Sequence, residues 1–181
     1  MKAGKTKTVK ALAIVGVASF LMLIRFYGAQ LGFIGYVAEG LYPGIISSRS
    51  FLRAVMNPER DDAYSAYSIL GNRKSLIAHD IAIVHLKSDD DYLWLNAALY
   101  LGHIKEPASI PYLIKALRHT AWRSDEEKYE LLKELTGKDH GTDFIGWHSW
   151  WMEHHEGSTI DWESNLGFSP RIMKKKNKPP P

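Results

Sequence analysis

The densest group of possible metal ligands lies near the end of the chain, where three histidines and two glutamates fall between residues 148 and 156. His148 and His155 are seven positions apart and would share one face of a helix, as two zinc ligands must. The sequence contains no H-E-x-x-H motif, and His140 could join them only if the preceding turn folded back. We therefore predict no metal site and keep His148 and His155 as weak candidates.

Other patterns that resemble chemical sites are incomplete. Asp89-Asp90-Asp91 lacks the Gly and the bidentate Glu of a calcium loop, and acids at that place suit the start of a helix. Thr136-Gly137-Lys138 lacks the earlier glycines of a phosphate loop, and no G-x-S-x-G elbow is present. The absence of cysteine excludes disulfides, thiolate zinc sites and a nucleophilic Cys. The sequence thus predicts no catalytic residue and no cofactor, and hence a protein that is not an enzyme.

Two tryptophans are candidates for contact with a protein partner. Aromatic residues at helical spacing belong to the core by default. Trp94 is an exception, because Leu95 and Ala98 already supply the buried stripe of its helix and Trp94 lies at the edge of that stripe. Since tryptophan is a favoured anchor at interfaces, we expect Trp94 and Trp122 to bind a partner.

An apolar segment precedes all of these residues. Residues 11–24 carry no charge, and Ser19 is their one polar side chain. As a helix they rise about 21 Å, less than the ~30 Å hydrocarbon core of a bilayer. Arg25 could snorkel to the headgroups, and the aromatic stretch up to residue 37 suits the interface. The residues that we expect in the membrane are Leu12, Ile14, Val15, Phe20, Leu21, Leu23 and Ile24. An uncleaved signal anchor is the interpretation we favour; a cleaved secretory signal and a buried helix of a soluble protein stay open.

The excess positive charge of the chain lies at its two ends. Lys2, Lys5, Lys7 and Lys10 precede the apolar segment, which predicts a single-pass protein of the cell membrane with a cytoplasmic N-terminus and its body outside the cytoplasm. A cleaved signal would instead give an exported, soluble protein. The net charge of +3 comes from the termini, so nucleic-acid binding is not expected. The C-terminal cluster could contact anionic lipid or act as a solubilising tail; its residues are Lys174, Lys175, Lys176 and Lys178.

The rest of the chain is predicted to be helical, because no alternating run of β-branched residues is present. Asn57-Pro58-Glu59 favours a helix start, and Leu70-Gly71 favours a helix end with Gly in the left-handed conformation. A second helix is expected at 73–87 and the last one at about 143–155. The organisation we predict is a basic flank at 1–10, a signal-anchor or transmembrane segment at 11–37, a helical connector at 38–57, a repeat domain at 58–155, and an extended, disordered, basic and Pro-rich tail at 156–181.

The repeat domain is predicted from internal similarity. Leu70-Gly71 recurs thirty-one positions later as Leu101-Gly102, and at the same offset Ala66 matches Ala97, Ile83 matches Ile114 and Leu86 matches Leu117. Each unit is a helix that ends in Leu-Gly, a short turn and a second helix that ends in a basic residue. Such a pair cannot bury its apolar face alone, so neighbouring pairs must stack.

These residues resemble a known repeat family. The run from Leu95 to Ile104, with Glu106-Pro107-Ala108 and the run from Ile110 to Leu117, resembles a HEAT repeat of the short bacterial form, as in phycobilisome-lyase-like HEAT proteins. The stretch from Leu132 through Thr136-Gly137 to Trp147-His148-Ser149-Trp150-Trp151 resembles the terminal segment of bacterial HEAT-containing proteins. The resemblance covers residues 58–155. It implies an all-α fold, in which a short right-handed α-solenoid of HEAT-like helix pairs follows a transmembrane or signal helix. It also implies a protein that contacts other proteins and catalyses no named reaction.

The sequence therefore predicts a membrane-tethered HEAT-like repeat adaptor, or an accessory subunit of a membrane complex, that mediates protein–protein interaction. The alternative is an enzyme, or a lyase-like or metal-binding factor, that uses the groove of the repeat.

Overall fold

The computed structural model describes residues 15–25, 27–28, 33–57, 62–118, 125–155 and 160–162. These ranges contain nine α-helices and short 3₁₀ turns, and they contain no strand. The predicted all-α fold class is confirmed for this part of the chain. The chain divides into two compact units, Met1–Ala66 and Tyr67–Pro181.

The helices are named in chain order. They are α1 (residues 15–25), α2 (Phe33–Leu41), α3 (Ser48–Val55), α4 (Asp62–Asn72), α5 (His79–His85), α6 (Asp91–His103), α7 (Ile110–Ala116), α8 (Asp125–Thr136) and α9 (Phe144–His154). The 3₁₀ turns Leu76–Ala78 and Pro107–Ser109 lead directly into α5 and α7. The helix predicted at 73–87 is thus a turn followed by a shorter α-helix, whereas the helix predicted at about 143–155 is present as α9.

In the first unit, polar side chains hold the loop between α2 and α3. The carboxylate of Glu39 accepts hydrogen bonds from the backbone N–H groups of Gly44 and Ile46, at 2.7 and 3.2 Å. The hydroxyl of Ser47 caps α3 by accepting from the N–H of Ser50 at 3.3 Å. The buried side chain of Ile46 lies so close to Gly28 that a Cβ there would be 2.5 Å from its Cδ1. These contacts fix the first residues of α3 against the backbone that follows α1.

The predicted segment at 11–37 forms two separate helices where it is described, α1 and α2. Among the described residues, no helix combines the length and the apolar character that a membrane span requires. Residues 11–14, which include the predicted anchor residues Leu12 and Ile14, lie outside the described part of the chain.

In the second unit, one turn geometry occurs twice at the predicted offset of thirty-one residues. Lys74 and Lys105 both have positive φ angles, 49° and 62°. The next N–H in each turn bonds back across the helix end, from Ser75 to the carbonyl of Leu70 at 3.0 Å and from Glu106 to that of Leu101 at 2.9 Å. This is the Schellman pattern of helix termination. The prediction that Gly71 supplies the left-handed residue is therefore wrong, because α4 continues to Asn72 and Lys74 adopts that conformation.

Close helix packing explains the two glycines instead. A Cβ on Gly102 would lie 3.1 Å from Cδ1 of Leu131 and 3.2 Å from Cδ1 of Leu113. A Cβ on Gly71 would lie 3.1 Å from Cδ2 of His103. The glycines therefore sit where a neighbouring helix approaches the backbone closely.

The core of the second unit lies around α6. This helix packs against α5, α7 and α8, and α7 also packs against α8 and α9. Leu101 and Leu132, one repeat apart, are both fully buried, as is Leu70 one repeat earlier. The side chain of Asp90 caps α6 by accepting from the N–H groups of Tyr92 and Leu93, as the acidic run predicted.

Candidate functional site

Trp94 is a core residue, which corrects the expectation that it lies at the edge of the buried stripe. Its side chain is 2% exposed. The indole Nε1 donates to Oδ1 of Asp91 at 3.4 Å, and the ring lies 6.5 Å from that of Tyr112. In this conformation a partner cannot reach the ring from the surface. Trp122, the second predicted contact, lies outside the described residues.

A buried cation lies directly against Trp94. The ammonium group of Lys115 on α7 is 5.4 Å from the centre of the indole, a distance at which a cation is attracted to the ring face. The same Nζ donates a hydrogen bond of 2.7 Å to the backbone carbonyl of Asp161. Burial lowers the pKa of Lys115, and the carboxylates of Asp161 and Asp91 act against that shift. Lys115 thus connects the core around Trp94 with a segment near the C-terminus.

A second cation holds the same segment. Arg118 follows α7, and its Nη1 donates to the carbonyl of Trp162 at 3.1 Å. Its guanidinium lies 5.2 Å from the centre of the Phe144 ring. The ring of Trp162 meets that of His148 edge to face at 4.7 Å, and Phe144 stacks on His148 at 5.4 Å. We call the set Lys115, Arg118, Phe144 and His148 the α7–α9 site.

The α7–α9 site was not predicted from the sequence. Its hydrogen bonds join residues that are separated by 44 or by 46 positions in the sequence. The helical periodicity of a sequence does not indicate contacts over such a distance. The one signal available was Trp162, a large aromatic residue inside the tail predicted to be extended, 156–181. Asp161 and Trp162 of that tail contact residues of the α7–α9 site. Of the rest of the tail, only residue 160 is within the described part of the chain.

The two weak metal candidates contact different aromatic rings. His148 belongs to the α7–α9 site, whereas the imidazole of His155 stacks on Trp151 with the ring centres 3.6 Å apart. Nδ1 of His155 lies 3.3 Å from the carbonyl oxygen of Trp151, at the C-terminal end of α9. Within the described ranges, no group of three or more His, Asp or Glu side chains is arranged to hold a metal ion.

A charged cluster ties the two repeats together. His79 at the start of α5 bonds through Nδ1 to Asp80 at 2.8 Å and through Nε2 to Glu106 at 3.0 Å. The hydrogen bond to Asp80 and then the one to Glu106 raise the pKa of His79, and the bond to His79 lowers the pKa of Glu106. Both ring nitrogens are engaged by carboxylates, which suits the imidazolium form. Further along the chain, His103 and Glu127 make another histidine–carboxylate contact, between α6 and α8 at 3.3 Å.

A buried tyrosine and a histidine form the remaining polar pair of interest. The hydroxyl of Tyr67 lies 2.7 Å from Nδ1 of His85. Burial raises the pKa of Tyr67 and lowers that of His85, so the phenol stays protonated and donates to a neutral imidazole at neutral pH. The Tyr67 ring also packs 5.3 Å from that of Tyr100, whose hydroxyl donates to the carbonyl of Ser75 at 2.7 Å. This pair holds together the helices of the first repeat and the turn between them.

Comparison of the chain with protein-family models, curated protein sequences and solved structures gives no significant match. The function must therefore be inferred from the residues and their geometry.

Proposed function

We propose that this protein is a membrane-associated adaptor, in which the N-terminal apolar segment binds the membrane and the second unit binds a protein partner. In this proposal the second unit is a short right-handed α-solenoid of HEAT-like helix pairs. The lysines before residue 11 stay on the cytoplasmic side, and the body lies outside the cytoplasm.

The exposure of α1 is the observation that supports membrane association. Six of its large apolar side chains are between 45% and 65% exposed to solvent; they are Val15, Val17, Phe20, Leu21, Met22 and Leu23. Contiguous apolar exposure of this kind is typical of a membrane or protein contact. At about 1 kcal/mol gained for each partly buried side chain, inserting the six into lipid would contribute on the order of 6 kcal/mol.

Two features of the second unit support the adaptor role. Its two repeats share one turn geometry at Lys74 and Lys105, so they present similar helix pairs side by side. Its charged contacts, such as His79 with Glu106, connect one repeat to the next. Stacked helix pairs offer extended surfaces for other proteins. A membrane tether raises the local concentration of a membrane partner, so contacts of moderate strength on this surface would suffice.

The membrane half of the proposal is tested by fractionating cells that express the full chain. We expect the protein in the membrane fraction, and we expect Phe20→Asp combined with Leu23→Asp to move it to the supernatant. Met56→Asp is the matched control, because Met56 is an exposed apolar residue outside α1. Recovery of the unaltered chain in the supernatant would show that the apolar segment is no membrane anchor.

The adaptor half is tested by extraction in mild detergent and identification of co-purifying proteins. We expect a protein in near-equimolar amount with the full chain. A chimera that joins residues 1–57 to an unrelated soluble protein is the control, because it keeps the membrane segment and lacks the second unit. If the chimera recovers the same protein, or if the full chain recovers none, the adaptor role is wrong.

A further inference from the structure

The chain places a short piece of its own tail on the α7–α9 site. Of residues 156–181 the structure describes 160–162, and two of these, Asp161 and Trp162, contact side chains of α7, of the residue Arg118 that follows it, and of α9. Lys115 donates to the carbonyl of Asp161 and Arg118 donates to the carbonyl of the next residue, Trp162. Two cationic side chains therefore hold the main chain of two successive residues.

The chemistry of these contacts is general for peptides. Any peptide in the same conformation offers carbonyl oxygens at this spacing, and hydrogen bonds from charged donors to such acceptors are among the stronger ones. The side chain that is recognised specifically is the indole of Trp162, which meets the stacked pair of His148 and Phe144 edge to face, at 4.7 and 6.3 Å. Aromatic pairs in such edge-to-face arrangements contribute about 0.5–1.5 kcal/mol beyond their buried area.

Charge complementarity adds a preference for the residue before the tryptophan. The carboxylate of Asp161 interacts favourably with the Lys115 ammonium group, and Arg118 supplies a second positive charge at the same site. An acidic residue followed by tryptophan therefore fits the α7–α9 site in both charge and shape.

We propose that the α7–α9 site binds an extended segment of a partner protein that carries an acidic residue followed by tryptophan, and that Asp161-Trp162 of the chain itself acts as an intramolecular competitor for this site. The inference names the partner class of the proposed adaptor, but it rests on the geometry of the α7–α9 site alone and requires no membrane.

The size of the competition follows from the tether. A segment joined to its site by a short linker has an effective concentration on the order of 1 mM. If the open site binds a free peptide with a Kd of about 10 µM, the tethered segment raises the apparent Kd roughly 100-fold. Weakening the tethered segment should therefore make the site accessible to a peptide in trans.

The experiment is a fluorescence-anisotropy titration with the full chain in mild detergent. The probe is a fluorescein-labelled peptide with the sequence of residues 157–166, and a second peptide replaces its tryptophan by alanine. We expect Trp162→Ala protein to bind the probe about 100-fold more tightly than the unaltered chain, and we expect neither protein to bind the alanine peptide. Trp162→Leu serves the same purpose if circular dichroism shows that the alanine variant is not folded.

Two further variants in the Trp162→Ala background test whether the α7–α9 site is where the probe binds. Arg118→Ala should weaken binding at least tenfold. Lys87→Ala should leave it unchanged, because Lys87 occupies the position of Arg118 one repeat earlier.

Three results would overturn the proposal. The first is that the unaltered chain and the Trp162→Ala protein bind the probe equally. The second is that neither Trp162→Ala nor Trp162→Leu binds the probe although the variant is folded. The third is that Arg118→Ala does not change binding. A dimer of the unaltered chain that Trp162→Ala converts to a monomer would assign the site to the tail of a second copy, which also contradicts a partner segment. If the peptide binds as expected while membrane fractionation fails, only the membrane half of the proposed function is wrong.

Discussion

Replacing Gly102 by alanine should destabilise the second unit, although alanine is the better helix former. Gly102 lies in the last turn of α6, and a Cβ there would meet Leu131 of α8 at 3.1 Å and Leu113 of α7 at 3.2 Å. Both leucines are buried. The added methyl group is therefore confined from two sides by side chains that have little room to move, and either a helix or a rotamer must shift.

Two opposing contributions set the magnitude. Exchanging Gly for Ala in a helix interior gains about 1 kcal/mol from backbone conformation. Forcing an extra methyl group into a packed core costs about 1–3 kcal/mol. Because two helices confine Gly102, we take the cost as about 2 kcal/mol, which leaves a net loss of about 1 kcal/mol. For an m-value of about 2 kcal/mol/M, the urea midpoint should fall by about 0.5 M.

The assay is urea unfolding followed by tryptophan fluorescence. All six tryptophans of the chain lie in the second unit, so the fluorescence reports on that unit. Gly40→Ala is the matched control, because Gly40 is a helical glycine of α2 whose Cβ would meet nothing within 4 Å. It should raise the urea midpoint measured by far-UV circular dichroism, which reports on the helices of both units. Gly71→Ala should be less harmful than Gly102→Ala, because the neighbouring His103 is only partly buried and its ring can turn.

A rise in the urea midpoint of Gly102→Ala, comparable to that of Gly40→Ala, would refute this reasoning. The close approach of α7 and α8 would then impose no constraint at this position.

Three further predictions concern single residues of the second unit. Asp80 and Glu106 raise the pKa of His79 above 6.5, so the stability it contributes is complete below that pH and is lost as pH rises through the raised pKa; Glu106→Gln should bring the pKa back towards 6.5 in an NMR titration. Trp147 is fully buried, and Trp147→Ala should cost about 3–5 kcal/mol in calorimetry, well above the cost of Trp147→Phe. Lys74 has a φ of 49°, and Lys74→Gly should stabilise by up to about 1 kcal/mol; a lower Tm would contradict this.

Local signals in the sequence predicted much of the second unit. The offset of thirty-one residues appears in the structure as two turns of the same Schellman type at Lys74 and Lys105, and the acidic run starts α6 through Asp90. The role of the Leu-Gly pairs was misread, since a helix end and a close helix contact both favour glycine. Only the neighbouring helix distinguishes the two, and that neighbour is not visible in local sequence.

The expectation that Trp94 lies at the edge of the buried stripe was wrong for a related reason. A single apolar stripe describes a helix that faces the core on one side. The helix α6 packs against α5, α7 and α8, and its residues from Leu93 to Gly102 are all buried. Because α6 is surrounded by other helices, no side of it faces solvent. The position of Trp94 relative to Leu95 and Ala98 therefore carried no information about the solvent exposure of its side chain.

The burial of Trp94 also changes how a substitution there must be interpreted. Its indole lies beneath the ammonium group of Lys115, and that group holds the carbonyl of Asp161 on the α7–α9 site. Trp94→Ala would remove the ring that faces the cation and leave a cavity below it, so Lys115 could turn inwards and release the segment above. A change in partner binding by this variant would therefore arise through Lys115. Arg118→Ala, which removes a side chain in direct contact with the segment, separates a contact from such an indirect effect.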